Sequence, residues 1–432
     1  MSRRTLLGLL VAVAAIAPAA LHMPVPSLPL LAAVFAAPAG RVQLVLTLFL
    51  AGIAVGQLVY GPVSDRFGRR PVLIAGLALF LVGTVVCGLA WSLPMLIVGR
   101  VIQACGGCAG MVLGRAIVRD LFDRERSASA IATIMMAMSL APSMSPAIGA
   151  YLAEWVGWRA DFALLGAVGA AVLVLTAARL EETHSNPAPA NLAAMGRSFV
   201  LLLRSSTFLG SALTTAFISA SWFTFLASAP YLLSEVMHEP PSTYGLMILL
   251  PMAAYILGNA GVTRLSVAVG SARLLVVGLT LSLASGAMLA VWCLVELTPW
   301  ALFVPMAISS IGNGLSQPPA IAAGLSVHPR IAGAASGLLG FLQMTVAALG
   351  TLLIGQLPHD NALAMVVVVV ACLALALVFG LLALRPARRS PAPGPLRAAQ
   401  SRGREATLTT STRAPSRAAL SSPPPVSPDL SG

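Results

Sequence analysis

Between two long apolar runs, residues 42–62 and 71–91, the sequence places Gly61-Pro62-Val63-Ser64-Asp65-Arg66-Phe67-Gly68-Arg69-Arg70, with four charges in its last six positions. Each flanking run is long enough to cross a hydrocarbon core of about 30 Å as a helix of about 20 residues. In a bilayer the backbone N–H and C=O groups must be paired inside the chain, which leaves such runs little choice but helix. The charged decapeptide is therefore a tight turn at a membrane surface.

The same pattern recurs along the chain. Apolar runs at 5–28, 42–62, 71–91, 94–114, 128–153 and 159–179 predict six spans, and those at 207–234, 243–264, 272–294, 299–323, 332–356 and 362–384 predict six more. Hydrophobic residues make up 58% of the chain and charged residues 9%, against about 25% charged in soluble domains, so a water-soluble fold is excluded. The expected organisation is an all-α integral membrane protein of twelve helices: an N-terminal bundle (1–180), a polar linker (181–205), a C-terminal bundle (206–385) and a disordered basic tail (386–432) rich in Pro, Ser, Ala and Arg. Arg3, Arg4, the apolar run and Ala17-Pro18-Ala19-Ala20 also resemble a signal peptide. Because the apolar character continues beyond Leu30, a first spanning helix fits better.

All 26 basic residues are arginine and the net charge is +12. These arginines do not gather into one patch for nucleic acid. All but Arg41, Arg100 and Arg159 fall in the termini and in one set of alternate loops, which predicts both termini in the cytoplasm. The tail arginines can touch anionic lipid. The five cysteines all lie in apolar runs and offer no disulfide framework. Cys105-Gly106-Gly107-Cys108 spells C-x-x-C, but a zinc site needs about four ligands and no further Cys or His is near in sequence, so close packing of small residues is expected. Asp120-Leu121-Phe122-Asp123-Arg124-Glu125 is balanced by Arg119, Arg124 and Arg126 and reads as a salt-linked gate or solvated loop. There is no Ser/His/Asp set, P-loop or dinucleotide fingerprint, so no enzyme activity, metal or cofactor is expected.

The halves echo each other at an offset of 202 residues, Gly56 on Gly258 and Gly68 on Gly270, although Asp65 falls on Val267. Two six-helix bundles of the same orientation are the pattern of a parallel-repeat transporter.

Gly61-x-x-x-Asp65-Arg66-x-Gly68-Arg69-Arg70 resembles the loop signature between helices two and three of the major facilitator superfamily. That resemblance implies the family fold of two parallel six-helix pseudo-repeats, with Gly61, Asp65, Arg66, Gly68, Arg69 and Arg70, joined by Arg119 and Asp120, as a conformational gate. Arg100, inside the fourth span, resembles the intramembrane arginine of proton-coupled drug antiporters, with Gln103 beside it. Pro142, Pro146 and Gly149 lie in Ala141-Pro142-Ser143-Met144-Ser145-Pro146-Ala147-Ile148-Gly149-Ala150, similar to a fifth-helix bending motif of those antiporters, and each proline removes a helix hydrogen bond.

The finer resemblance is to the bicyclomycin and chloramphenicol resistance (Bcr/CflA) branch, on Arg115-Ala116-Ile117-Val118-Arg119-Asp120-Leu121-Phe122, on Gly312-Asn313-Gly314-Leu315 with Pro318, and on Ala332-Gly333-Ala334-Ala335-Ser336-Gly337-Leu338-Leu339-Gly340. It implies an efflux transporter of the bacterial inner membrane, driven by a proton gradient, for drug-like or metabolite-like small molecules, with protons and membrane lipid as its other partners and a monomer as its working form. The branch has an acid in helix one where this chain has His22-Met23-Pro24-Val25-Pro26. Histidine exchanges a proton near neutral pH, but its charge is inverted relative to an acid. His22, Arg100 and Gln103 are therefore the candidates for proton coupling or substrate. A proton-independent facilitator or importer of a neutral metabolite is the alternative, with a non-transporting sensor or membrane enzyme more remote. Glu154, Asp161, Glu235 and Glu296 fall near outer helix ends and read as interfacial caps. Met144, Trp222, Phe225, Asn313, Gln317 and Gln343 are the candidate lining of a central pocket, suited to bulky, weakly charged molecules.

Overall fold

Among the described residues the apolar runs become helices, and several of the breaks between them come where proline interrupts, as at Pro24, Pro299 and Pro329, or where glycine takes positive φ, as at Gly68, Gly157 and Gly270. The structure, a computed structural model, describes residues 3–121, 141–183, 192–357 and 361–384. One compact unit takes in the chain up to Arg385; the tail expectation for 386–432 lies outside the described residues.

In the N-terminal half the helices are α1 (Arg3–His22), α2 (Leu44–Phe67), α3 (Arg69–Gly88), α4 (Leu93–Leu121), α5 (described over 141–155) and α6 (Arg159–Arg179). In the C-terminal half they are α7 (Ser206–Tyr231), α8 (Leu249–Val269), α9 (Ser271–Val295), α10 (Pro299–Ser326), α11 (Ala332–Gly355) and α12 (Leu363–Ala383). Ten of these, with their short flanking helices, are long and apolar enough to cross a membrane. The other two are α5, described from residue 141 onward, the predicted run at 128–140 lying outside the described residues, and α10, which is 28 residues long but carries Asn313, Gln317 and three internal prolines.

The first span runs further than the sequence predicts. Pro24 and Pro26 end α1 at His22, a 3₁₀ turn follows at Val25–Ser27, and helix resumes over Leu28–Val34, so the whole span reaches Val34. The expected polar linker contains a helix, Leu192–Leu203, whose Leu202 is buried with Phe208, Leu338 and Leu339.

Within the N-terminal half α4 packs against α1, α2 and α3, and α6 packs against α1 and α3. Within the C-terminal half α10 packs against α7, α8 and α9, and α12 against α7 and α9. Between halves, α11 packs against α2. The repeat is visible at backbone level. Gly68 and Gly270 both take positive φ, +93° and +86°, at the turn between the second and third helices of their halves. Gly76 lets α3 approach Ala109 and Gly106 of α4, and Gly278, again 202 positions on, lets α9 approach Gly312 and Ser316 of α10. Close approach of helices through small residues is how membrane bundles gain packing contacts when lipid removes the hydrophobic drive.

Apolar side chains exposed on the outside, among them Val82, Val85, Val291 and Leu294, are what a lipid-facing surface requires. Trp91, Trp155 and Trp300 are exposed beyond or at helix ends on one side of the bundle, where an aromatic belt meets the headgroups. Gly270→Ala is expected to cost about 1–2 kcal/mol, because a Cβ is strained at that φ. Gly333→Ala, in a helix with open space around the new methyl, is the comparison and is expected to raise stability by up to about 1 kcal/mol. Thermal unfolding in detergent checks both.

Candidate functional site

The charged turn after α2 is tied together from three directions. Arg69, nearly buried at the start of α3, pairs with Asp65 Oδ1 at 2.6 Å and with Asp120 Oδ2 at 3.2 Å, and it donates to the Ser64 hydroxyl. Arg70 donates through Nε to Leu180 O at 2.7 Å and through Nη2 to Ala177 O at 2.8 Å, closing the C-terminal end of α6. The backbone N–H groups of Arg69 and Arg70 donate to Glu182 Oε1 (2.9 Å) and Oε2 (3.2 Å), so a carboxylate sits on the open N-terminus of α3. Arg66 lies over the Phe67 ring at 5.1 Å. Gly61 lies within α2, and the side chain of Arg119 lies outside the described residues.

Glu182 belongs to the predicted linker and was not among the sequence candidates. Its two contacts with the start of α3 come from residues more than 110 positions away, so no local pattern announces them.

Among the described residues Arg100 of α4 is the largest fully buried side chain, 1% exposed. Its Nη1 donates to Ala20 O at 2.8 Å and to Gln103 Oε1 at 2.6 Å, its Nε reaches Val45 O at 3.5 Å, and its guanidinium lies 4.0 Å from the Phe49 ring centre. Gln103 Nε2 in turn donates to Thr84 Oγ1 at 2.8 Å, which donates to Phe80 O. One cation thus joins α1, α2, α3 and α4 through neutral groups. No acid forms an ion pair with it among the described residues. A charge without a counter-charge inside a membrane helix is costly, by about 2.5–3.5 kcal/mol on insertion scales, and such groups persist where they serve a pathway.

His22, at the end of α1, is buried, and its Nδ1 donates to Pro18 O at 2.9 Å. A carbonyl only accepts, so the proton sits on Nδ1 and Nε2 carries the lone pair. The ring lies 5.9 Å from that of Phe223 on α7. Arg100 stands within electrostatic reach of both His22 and Asp161.

Asp161 corrects the sequence reading. Glu154, Glu235 and Glu296 are exposed as interfacial caps should be, but Asp161 is 0% exposed. Position along the helix suggested a cap; the face decides otherwise. Trp158, Asp161, Phe162, Leu165, Gly169, Val172 and Thr176 are all buried at helical spacing. That stripe was the available signal, since an acid in register with it points into the bundle.

The proposed pocket residues are dispersed. Trp222 lies 5.9 Å from Phe225, which packs edge-on to Phe303 in the core. Gln343 Nε2 donates to Ser219 Oγ at 2.7 Å, and Gln317 accepts from Tyr255 OH at 2.6 Å. Asn313 Oδ1 accepts from Ser282 Oγ at 3.0 Å. Met144 is exposed on α5, Pro142 and Pro146 lie in its helical part, and Gly149 abuts the Met23 carbonyl. Cys108 packs on Gly56, and its thiol donates to Ile53 O. Near the His22 end the halves are joined by Thr47 Oγ1 and Thr351 Oγ1 at 2.8 Å, by Gln43 Nε2 donating to Ala227 O, and by Tyr231 OH donating to Leu28 O.

Two six-helix halves in parallel repeat, with enclosed polar groups between lipid-facing surfaces, define a membrane transporter fold. Residues 10–351 match the Major Facilitator Superfamily, and the chain belongs to that superfamily. It is 28% identical to a bicyclomycin resistance protein homolog of Haemophilus influenzae, over 78% of this chain and 85% of that protein. It is 30% identical to a chloramphenicol resistance protein of Pseudomonas aeruginosa, over 83% and 85%, and 29% identical to multidrug resistance protein D of Escherichia coli, over 74% and 81%. In fold it is similar to a D-xylose–proton symporter, at 13% identity, 89% of this chain, 98% of the other and a TM-score of 0.72. A bacterial homolog of the human lysosomal transporter Spinster gives 0.71 at 18% identity, over 91% and 100%.

Proposed function

We propose that this chain is a secondary active efflux transporter that exports drug-like or metabolite-like small molecules from bacteria against an inward flow of protons. The observation that carries the proposal is Arg100, wholly enclosed in the N-terminal half and held by neutral groups of four helices, in a chain whose relatives are named for drug resistance. Such a cation attracts an anion or repels a bound proton differently as the helices rearrange, which is what coupling requires. Alternating access rocks the N-terminal bundle (1–180) against the C-terminal bundle (206–385) about a midplane site. Asp65, Arg69, Arg70, Asp120 and Glu182 form a gate at the cytoplasmic surface, and both termini lie in the cytoplasm. Gln103, Met144, Trp222, Phe225, Asn313, Gln317 and Gln343 meet the substrate in one state or another, with Pro142, Pro146 and Gly149 allowing α5 to bend. The transporter works as a monomer without catalysis or cofactor.

The exchange of the helix-one acid for His22 favours a second reading, a facilitator that ignores the gradient. Everted membrane vesicles energised by respiration separate the two. They are expected to accumulate ethidium and radiolabelled chloramphenicol, and a protonophore is expected to bring accumulation to the level of vesicles lacking the protein. Protein-dependent accumulation unchanged by the protonophore establishes the facilitator instead, and none with either probe counts against drug export.

A further inference from the structure

Among the described acidic residues, Asp161 is the one the fold encloses completely. Its Oδ2 accepts from Ser27 Oγ at 3.2 Å, and its Oδ1 is buried with no hydrogen-bond partner. No described cation forms an ion pair with it. Arg100 turns Nη1 to Ala20 and Gln103 and Nε to Val45, and Arg159, on the same helix as Asp161, turns away to Ala90 O at 2.9 Å and the Trp158 ring. A buried anion left in that state is expensive, whereas a bound proton removes the charge and gives Oδ1 something to offer.

The surroundings are those of a closed compartment. Phe35 packs on Trp158 at 5.8 Å between ring centres and Trp158 on Phe162 at 6.0 Å, while Phe162 in turn lies 6.0 Å from the Arg100 guanidinium. Arg100 of α4 is the charged group within electrostatic reach of Asp161, and the Ser27 hydroxyl faces it from the continuation of α1; His22 of α1 and Cys87 of α3 stand within reach of Arg100 in turn, and Arg159 lies two positions before Asp161 on α6. Cys87 gives its thiol to Leu96 O. His22, when charged, repels Arg100; an acid is attracted to it, so only the acid can trade a proton for an ion pair with the arginine as the helices move.

We propose that Asp161 is the proton-carrying carboxylate of this transporter and Arg100 its switchable counter-charge, an assignment that rests on the antiport reading above. When the aromatic layer at Phe35, Trp158 and Phe162 opens, water on that side gives a proton to Oδ1 and an O–H bond forms. When the bundle rearranges to bring the carboxylate to Arg100, that bond breaks, the proton leaves to water on the opposite side, and the anion pairs with the guanidinium. No electrons change hands.

Infrared difference spectra of the purified full-length protein across a pH titration test the assignment without any substrate. The wild-type spectra are expected to contain a titrating C=O stretching component of a neutral carboxylic acid that is missing from Asp161→Asn and displaced in Ser27→Ala, which removes the hydrogen bond to Oδ2. Wild-type and Asp161→Asn titrations that superimpose in the C=O region overturn the proposal. Should Asp161→Asn fail to fold, Ser27→Ala decides: an undisplaced band overturns it. In proteoliposomes, pH-driven accumulation of ethidium and radiolabelled chloramphenicol is expected to fall at least about tenfold in Asp161→Asn, the effect of about 1.4 kcal/mol. Full retention overturns the proposal alone. A wild type that moves neither probe under a gradient, yet shows the titrating band, removes the antiport reading and leaves the proton site standing.

Discussion

Arg100→Ala is expected to abolish export of any substrate the wild type moves, while lowering stability only modestly. The two effects separate for a physical reason. Removing the guanidinium leaves Ala20 O and Gln103 Oε1 without their donor inside the bilayer, at about 1–3 kcal/mol each, and deletes the stacking on Phe49 at 4.0 Å. It also removes a buried charge whose desolvation the fold had to offset, and that gain opposes the losses. In the proposed mechanism transport has no such compensation, because there the cation is the counter-charge that answers to protonation. Arg100→Lys keeps the charge but not the geometry. One ammonium on a flexible stem cannot hold Ala20 O, Gln103 Oε1 and Val45 O from a single plane as the guanidinium does, so export by the lysine variant is expected to fall about tenfold or more, equivalent to about 1.4 kcal/mol. The measurement is vesicle flux normalised to protein, alongside the unfolding temperature in detergent. Wild-type flux in Arg100→Ala at equal protein level would end the case for this residue.

What the sequence could reveal about these groups follows from how each is held. Helix existence was legible because hydrophobic length is a one-dimensional property, and so were the parallel repeats, through Gly56 with Gly258 and Gly68 with Gly270. The cost of Arg100 in lipid was equally plain from its place in an apolar run. Its partners were less so: Gln103 is one helical turn away, but Ala20 O and Val45 O come from other helices as backbone atoms, which carry no sequence signature. Asp161 is buried where its place in the sequence predicts a cap, because closeness to a helix end measures depth along the axis, whereas burial is set by the face. Here α1 and α3 close over that face. The apolar run predicts a first span ending at 28, whereas the chain turns through Val25–Ser27 and resumes a helix to Val34. Phe225 and Asn313 have the chemistry of a pocket lining, and the structure gives both of them partners within the C-terminal half.

Arg69→Ala is expected to reduce export about tenfold or more, and Glu182→Gln by a smaller factor in the same direction. Arg69 is the point at which Asp65 on α2 and Asp120 on α4 meet. Without it two carboxylates face each other across the start of α3, and repulsion replaces two charge-assisted contacts. Asp65 is half exposed and Asp120 one quarter exposed, so water screens part of that change and the loss is held to about 1–2 kcal/mol rather than the value for a sealed pair. Spread over the equilibrium between two states of a gate, such a loss shifts populations by about tenfold. Glu182 acts through a different route: its carboxylate accepts the N–H groups of Arg69 and Arg70 and complements the helix dipole of α3, worth about 0.3–1 kcal/mol at an exposed site. The amide in Glu182→Gln keeps one acceptor and loses the charge, so its defect is expected to be mild and to diminish further at high salt, where the wild type already loses part of the same interaction. The salt series distinguishes the two variants. If Arg69→Ala exports as well as the wild type at low salt, the charged turn is a topological signal and not a gate.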